Sequence, residues 1–341
     1  MNAANWGKFA SSKKLSKKIN NFDLQGHRGA RGLAPENTLS GCLKALSIGV
    51  NTIELDVAIT KDNQVVVLHD LIINPDITRK PDGKWLSEAS LKVNCLTLEE
   101  LQKFDVGRIN PKSLYATKYP TQIPSDGDTI PTLKAIFELI HQLKNQEIKF
   151  NIELKFSPET ETMTPSPKEF AVKVFEIIKS HDMMARSTVQ CFDWRPLQVF
   201  REIDPGIMIS YLTVQQNWMD TIKFDDGVPS AWMAGIDLCS FGGSIPEAIS
   251  SCGGNIWTPF YQDVTTENIK AAHNLNLLVK VWTVNDPSKM NELIDYLDID
   301  PSTLPPLFSA ISFASDLLMS LKPPVNINFL FENFPSLFCA T

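Results

Sequence analysis

Two histidines, an arginine and three carboxylates are concentrated near the start of this 341-residue chain. Imidazole takes up and releases protons near neutral pH, and clustered carboxylates can bind a cation. Each of these residues lies at the end of, or soon after, a segment with strand-like composition. Polar groups at strand ends are what a (β/α) barrel enzyme needs at its active-site face. The residues are His27, Arg28, Glu36, Glu54, Asp56 and His69.

Two pairs of charged residues have the spacing that places both side chains on one face of a strand. Glu54 and Asp56 form one pair, and Glu153 and Lys155 form the other. On a strand with one face in water, such pairs are ordinary solvated surface. The strands of a barrel are covered on both faces, and there a buried carboxylate must be paired or bind a metal. The interpretation of these pairs therefore depends on the fold.

Segments rich in β-branched and aromatic residues alternate with helical segments along the chain. The strand candidates are residues 22–27, 52–57, 64–69, 148–154, 187–192, 206–212, 235–241 and 277–284. The clearest helical segments are residues 37–49, 131–146, 168–181 and 265–276. Strand–helix alternation favours a parallel sheet, and about eight such units favour its closure. We therefore predict an α/β fold, specifically a (β/α)8 TIM-type barrel.

Residues 70–130 interrupt this alternation with turn-rich sequence. A connection of this length is an insertion and not an ordinary βα loop, so we predict a small insertion after the third strand, beside the barrel mouth. The predicted organisation is a basic N-terminal arm at 1–21, a barrel at 22–322 and an atypical C-terminal tail at 323–341.

Composition narrows the possible partners and surroundings. The formal net charge of −7 argues against nucleic acid. The six cysteines contain no CxxC pair, which argues against zinc and favours reduced thiols in a cytoplasmic protein. The N-terminal lysines are not followed by an apolar region, so they indicate no secretory signal; they form either a solvated arm or an electrostatic membrane contact. The sequence contains no apolar run of about 18 residues, so we predict no transmembrane segment.

Six short motifs occur in an order that is typical of one enzyme family. They are HRG at 27–29, PENT at 35–38, ELDV at 54–57, VLHD at 67–70, IELK at 152–155 and WTVN at 282–285. In these motifs the chain resembles the glycerophosphodiester phosphodiesterase family over residues 22–300. The family's usual last-strand motif is not matched. Either residues 308–314 close the barrel instead or closure is imperfect, and the alternating apolar pattern of this segment makes us expect closure.

The resemblance implies metal-dependent hydrolysis of a small-molecule glycerophosphodiester to glycerol 3-phosphate and an alcohol. It implies that His27 and His69 are the catalytic acid and base, whereas the other histidines are structural. The implied ligands of one divalent cation, Mg²⁺ or Ca²⁺, are Glu54, Asp56 and Glu153. The implied substrate- and phosphate-binding residues are Arg28, Lys155, Glu36 and Trp282. Asn37 is interpreted as the N-cap of the helix that follows it.

Two alternative functions remain open from the sequence. A lysophospholipase D-like enzyme would use the same site on lipids with one acyl chain, and an apolar rim on the insertion would favour it. The other alternative is a catalytically inactive barrel that binds metal or phosphate. The leaving alcohol, the preferred metal, the histidine that acts first as base and the oligomeric state are not predicted.

Overall fold

The computed structural model describes residues 23–223, 228–297 and 310–313, and the predicted N-terminal arm and C-terminal tail lie outside them. Its strands are β1 Asp23–Gly26, β2 Thr52–Ile59, β3 Val65–Val67, β4 Lys149–Leu154, β5 Ser187–Cys191, β6 Met208–Thr213, β7 Gln215–Gln216, β8 Met219–Asp220, β9 Ile256–Pro259, β10 Leu278–Val281 and β11 Ala310–Phe313. Parallel pairing runs through β1, β2, β4, β5, β6, β9, β10 and β11. The ring closes because β1 pairs with both β2 and β11, so the predicted TIM-type barrel is confirmed.

The predicted closing segment also forms a strand. Ala310–Phe313 pairs in parallel with β1 on one side and with β10 on the other. This four-residue strand therefore takes the place of the unmatched family motif. Because it is paired on both sides, neither β1 nor β10 has an unpaired edge. Unpaired strand edges promote aggregation.

Two strand assignments from the sequence differ from the structure, and one strand was not assigned. The segment 64–69 contains β3, which pairs antiparallel with β2 because the short turn around Asn63 leaves no room for a parallel crossover. The segment 235–241 forms a 3₁₀ turn at Leu238–Phe241, capped by Asp237 and followed by a left-handed glycine. The short barrel strand β9, which ends at a proline, was missed.

Helices connect the strands and cover the barrel. They are α1 Leu39–Ile48, α2 Leu98–Leu101, α3 Leu114–Lys118, α4 Leu133–Gln142, α5 Pro167–Ser180, α6 Trp194–Ile203, α7 Ile245–Ser251, α8 Thr266–Asn274 and α9 Pro287–Leu297. Helix α4 shows why they form: Leu133, Ile136, Phe137 and Ile140 recur at helical spacing and are all buried. No helix in the described ranges is long and apolar enough to cross a bilayer.

The insertion follows the third strand in chain order, as predicted, and it has a small core of its own. Ile73, Val93, Leu101 and Ile130 pack there against Val66 of β3. Helix α2 is fixed by a capping box between Thr97 and Glu100, and α3 carries side chains toward the barrel mouth. The insertion is thus a folded unit on the β2–β3 hairpin.

The two faces of the barrel strands differ: the face toward the barrel interior carries polar residues, and the face toward the helices is apolar. All eight residues of β2 are buried. Ile53, Leu55 and Val57 belong to the main hydrophobic core, whereas Glu54 and Asp56 alternate with them and face the interior. The parallel barrel thereby buries two carboxylates that an antiparallel surface sheet would leave in water.

We expect a chain that ends at residue 304 to lose cooperative unfolding, because without β11 the strands β1 and β10 have unpaired edges. A chain that ends at residue 322 keeps β11 and serves as the control, with a melting temperature close to that of the full chain. Circular dichroism during heating measures both. A cooperative, active protein that ends at residue 304 would contradict the closure described above.

Candidate active site

The predicted site residues meet at the carboxyl ends of the barrel strands. A cavity of about 220 Å³ lies there. Its lining includes His27, Arg28, Glu54, His69, Glu153, Lys155 and Trp282. Glu36 and Asp56 do not line this cavity but contact Arg28 from behind it. The structure therefore brings together all the residues that the sequence singled out.

Three carboxylates form a cluster that fits a metal ion. One oxygen each from Glu54, Asp56 and Glu153 lies within 4.8 Å of the other two. Burial, together with the neighbouring Asp56 and Glu153, raises the pKa of Glu54 well above its ordinary value, and burial also raises the pKa of Glu153. Asp56 Oδ1 is buried without a hydrogen-bond partner. Such a buried all-oxygen donor set, with one orphaned oxygen, can hold a hard divalent cation such as Mg²⁺ or Ca²⁺.

The HRG motif folds so that Arg28 reaches two carboxylates. Arg28 has a left-handed backbone, and its N–H donates to Glu54 Oε2 at 2.8 Å. Gly29 is also left-handed, and a Cβ on it would meet the backbone of Gly41 at 3.0 Å. The Arg28 guanidinium lies 2.6 Å from Glu36 Oε1 and 3.4 Å from Asp56 Oδ2. Burial alone would lower its pKa, but these two carboxylates raise it well above its ordinary value.

Lys155 supplies a second fixed positive charge. Its Nζ lies 2.6 Å from Glu153 Oε1 and 3.7 Å from Asp56 Oδ1. Burial opposes the charged form, but both carboxylates outweigh it and raise the pKa of Lys155. Burial would raise the pKa of Asp56, but the neighbouring His69, Lys155 and Arg28 together hold it below its ordinary value. Asp56 is therefore ionised and available to a cation at neutral pH.

The two histidines are held in opposite tautomers. Arg31 Nη2 lies 2.8 Å from His27 Nδ1, and because arginine only donates, the neutral ring carries its proton on Nε2. His69 Nδ1 lies 2.6 Å from Asp70 Oδ1, and because a carboxylate accepts, the proton of His69 is on Nδ1. His69 Nε2 is then the free lone pair. Burial first, then nearby arginine charge, lowers the pKa of both rings.

Asn37 is not the helix cap that the sequence suggested. Thr38 caps α1, because its side chain accepts from the backbone N–H of Gly41. Asn37 instead has a left-handed backbone, and its amide donates to Asp56 Oδ2 at 2.9 Å while its Oδ1 accepts from the Asp56 N–H at 3.3 Å. The chain thus uses Asn37 to orient a carboxylate of the cluster.

Sequence reasoning missed several supporting residues. Asp70 follows His69 directly in its motif, and Asn74 holds it through a 2.9 Å hydrogen bond. Tyr115, on α3 of the insertion, donates to Glu36 and lies 3.3 Å from Arg31. Asp70 could have been found beside its histidine, but nothing local marks Tyr115, because only the packing of the insertion brings it to the barrel mouth.

Lys280 is a further cation in the cavity wall. It is 3% exposed, and its Nζ lies 3.5 Å from Ser210 Oγ. Burial lowers its pKa to about 8, with Asp23 and Glu54 opposing the shift. The sequence could have indicated this residue, because it precedes Trp282 by two positions and residues two apart on a strand face the same side.

A larger apolar cavity of about 720 Å³ adjoins the polar one. The two share His69, Glu153, Lys155, Phe192 and Trp282. Trp282 packs against Phe192 at 5.2 Å between ring centroids, and its indole donates to the Thr258 carbonyl. The remaining apolar lining of the larger cavity includes Leu71, Ile72, Pro75, Ala89, Phe156, Met163, Trp218, Met219 and Trp232. The insertion therefore contributes an apolar rim to the site.

The remaining histidines lie elsewhere. His141 Nε2 is 2.9 Å from the carbonyl of His181, so these two link α4 to the end of α5. His273 lies on α8, and burial lowers its pKa. None of the three lines either cavity.

Comparisons with known proteins agree on one family. The model of the glycerophosphoryl diester phosphodiesterase family matches residues 27–298. The putative glycerophosphodiester phosphodiesterase YhdW of Bacillus subtilis is 34% identical over 187 residues, 55% of this chain and 64% of that protein. The glycerophosphodiester phosphodiesterase of Caldanaerobacter subterraneus is 26% identical over 283 residues, 82% of this chain and 94% of its own.

Solved structures share the fold. The putative glycerophosphoryl diester phosphodiesterase from Silicibacter pomeroyi is 28% identical, with a TM-score of 0.74 over 88% of this chain and 92% of that one. An Oleispira antarctica phosphodiesterase, solved with the product sn-glycerol-3-phosphate, is 20% identical, with a TM-score of 0.60 over 89% and 98% of the two chains.

Proposed function

Because the chain belongs to the glycerophosphoryl diester phosphodiesterase family, we propose that it hydrolyses glycerophosphodiesters to glycerol 3-phosphate and an alcohol with two histidines and a divalent cation. The observation that carries this proposal is the meeting, in one cavity, of two histidines in opposite tautomers with two fixed cations and three carboxylates. The Oleispira antarctica phosphodiesterase was solved with sn-glycerol-3-phosphate as its product, which is consistent with the same product here.

Arg28 and Lys155 bind the phosphodiester. Both remain charged at neutral pH, since carboxylates raise the pKa of each. Glu36 engages Nη1 of Arg28 and fixes the plane of the guanidinium, which presents a forked set of donors to phosphate oxygens. Lys155, at the carboxyl end of β4, adds a point charge. Trp282 forms a wall of the same cavity against the substrate.

Glu54, Asp56 and Glu153 would hold the divalent cation. When bound, such a cation neutralises charge that develops on phosphate oxygens and favours ionisation of a nearby hydroxyl. Asn37 contributes by fixing the orientation of Asp56 through its two hydrogen bonds.

His69 acts first as the base. Its free Nε2 removes the proton of the attacking hydroxyl, by family analogy the glycerol 2-hydroxyl. The oxygen of that hydroxyl then bonds to phosphorus and forms a cyclic phosphate as the bond from phosphorus to the leaving alcohol breaks. Asp70 stabilises the imidazolium that forms, because it accepts from Nδ1.

His27 donates from Nε2 to the leaving alcohol oxygen. As an imidazolium it needs a second proton on Nδ1, so Arg31 must release that atom. Arg31 also lines the cavity, and an anionic phosphodiester offers it another acceptor. In the second half of the cycle the roles exchange: His27 takes a proton from water, which opens the cyclic phosphate, and His69 returns its proton to the 2-hydroxyl.

We expect the purified protein to release choline and sn-glycerol 3-phosphate from glycerophosphocholine in the presence of Mg²⁺ or Ca²⁺. Enzymatic detection of both products over time measures this. Release of choline and sn-glycerol 3-phosphate, and not of phosphocholine and glycerol, identifies the bond that is cleaved. A folded protein that binds the cation but turns over no glycerophosphodiester would instead support the inactive metal- or phosphate-binding barrel.

A lysophospholipase D-like activity is a second candidate, favoured by the 720 Å³ apolar cavity next to the catalytic groups. Its insertion-derived rim is able to receive one acyl chain. The same assay with lysophosphatidylcholine, compared by kcat/KM with glycerophosphocholine, separates the candidates. A Trp218→Ala variant, in which a 61% exposed residue of the cavity wall is lost, should then weaken turnover of the lipid only.

A further inference from the structure

Lys280 is a buried cation that the proposed chemistry does not use. It lies on β10, two residues before Trp282, and so faces the cavity that the catalytic groups line. Its ammonium has three donors, but the hydrogen bond that it makes is a long one, 3.5 Å to Ser210 Oγ. No carboxylate in the described ranges forms an ion pair with it. A 3% exposed ammonium with spare hydrogens requires an acceptor from the cavity.

Asn151 supplies the complementary group in the same cavity. Its Nδ2 donates to Gln25 Oε1 at 3.0 Å and to Gln190 Oε1 at 2.8 Å, which fixes the orientation of the amide. Its Oδ1 is buried without a hydrogen-bond partner. The lining of the cavity therefore offers one unsatisfied donor group and one unsatisfied acceptor. A hydroxyl satisfies both at once, whereas an anion would satisfy only the lysine.

The depth of these groups indicates which part of a substrate they meet. Asn151 precedes Lys155 by four residues, so it lies two inward-facing positions deeper along β4, and Lys280 lies one such position deeper than Trp282, which follows β10. Ser210 and Thr258, which hydrogen-bond each other, lie beside Lys280. The deep end of the cavity is thus suited to a small polyol.

We infer that Lys280 and Asn151 recognise the terminal hydroxyl of the glycerol moiety, and that Lys280 is a specificity-determining residue for glycerol over a deoxygenated alcohol. This inference rests on the proposed function. It adds the part of the cavity that selects glycerol, the alcohol that stays bonded to the phosphate. A purely structural lysine, balancing the field of Glu54 and Asp23, would not distinguish substrates by this hydroxyl.

The test compares glycerophosphocholine with 2-hydroxypropyl phosphocholine, in which a methyl group replaces the terminal CH₂OH while the 2-hydroxyl is retained. We expect the native protein to prefer the glycerol substrate by roughly 10–100-fold in kcat/KM, the range for a hydrogen bond to a charged group. In Lys280→Met most of this preference should be lost, because only the glycerol substrate loses its hydrogen bond to a charged group while the neutral one to Asn151 remains. Lys289→Met, on the surface of α9, should keep the native ratio.

A native protein without this preference, or a Lys280→Met variant that keeps it in full, would overturn the inference while leaving the proposed function intact. Absence of turnover with both substrates would overturn both. Calorimetric binding of sn-glycerol 3-phosphate and 2-hydroxypropyl phosphate to the native protein makes the same comparison if the variant does not fold. Equal affinities there would also overturn the inference.

Discussion

Chelation of divalent cations is expected to abolish phosphodiester hydrolysis, and Mg²⁺ or Ca²⁺ is expected to restore it. The physical reason is the buried cluster of Glu54, Asp56 and Glu153, in which three carboxylates lie within 4.8 Å of one another. Without a cation their mutual repulsion and burial favour protonation of Glu54 and Glu153. The measurement is the rate of choline release after EDTA treatment and after addition of each metal.

Thermal unfolding provides a second readout that does not depend on turnover. A ligand that binds only the folded state stabilises it by about 2.7 kcal/mol at 100 times its Kd, so the melting temperature should rise on metal addition. Glu153→Gln should remove most of that rise, and Glu99→Gln, on the exposed surface of α2, should keep it. Undiminished activity in metal-free protein, or an unchanged response in Glu153→Gln, would show that the cluster is not a metal site.

Substitution of either central histidine is the other change with a large expected effect. His69→Ala and His27→Ala should each lower kcat by roughly 10²–10⁴, the range for loss of a positioned acid or base. KM should change less, because Arg28 and Lys155 still bind the phosphate. Steady-state kinetics on glycerophosphocholine measure both constants.

The appropriate control is His273→Ala, which replaces a histidine of α8 that lines neither cavity. It should leave kcat unchanged. Asp70→Asn refines the result. An amide no longer holds the proton on Nδ1 of His69, so this substitution should lower kcat with little effect on KM. A near-native kcat in His69→Ala would remove that residue from the mechanism, and the same result in His27→Ala would remove His27.

The chemistry-bearing residues were readable from the chain because each is local to a strand end. Residues at i and i+2 on a strand share a face, which was enough to pair Glu54 with Asp56 and Glu153 with Lys155. The strand–helix alternation likewise predicted a closed parallel barrel, and the apolar pattern of 308–314 located its last strand. These inferences needed only short-range periodicity and the motif order.

Short-range periodicity and motif order could not predict the direction of β3 relative to β2 or the position of β9. A run of valines does not reveal whether its partner is parallel, and it was the short turn around Asn63 that imposed the hairpin. Strand β9 has only four residues and ends in a proline, so its composition carries little signal. Pairing between strands is a long-range property that a local pattern cannot specify.

What the sequence determined by itself was the family, the barrel and the residues that meet in the candidate site, because these depend on residue type and spacing. Only the tertiary structure decided which proton each histidine carries, since Arg31 and Asp70 set the tautomers of His27 and His69 through contacts at 2.8 and 2.6 Å. It also decided that the insertion delivers Tyr115 to Glu36 and that Lys280 faces the same cavity as Asn151. The two histidine contacts are local in the chain, but their geometry depends on how the folded backbone orients each ring. Tyr115 and Glu36 are 79 residues apart, so only the tertiary fold brings them together.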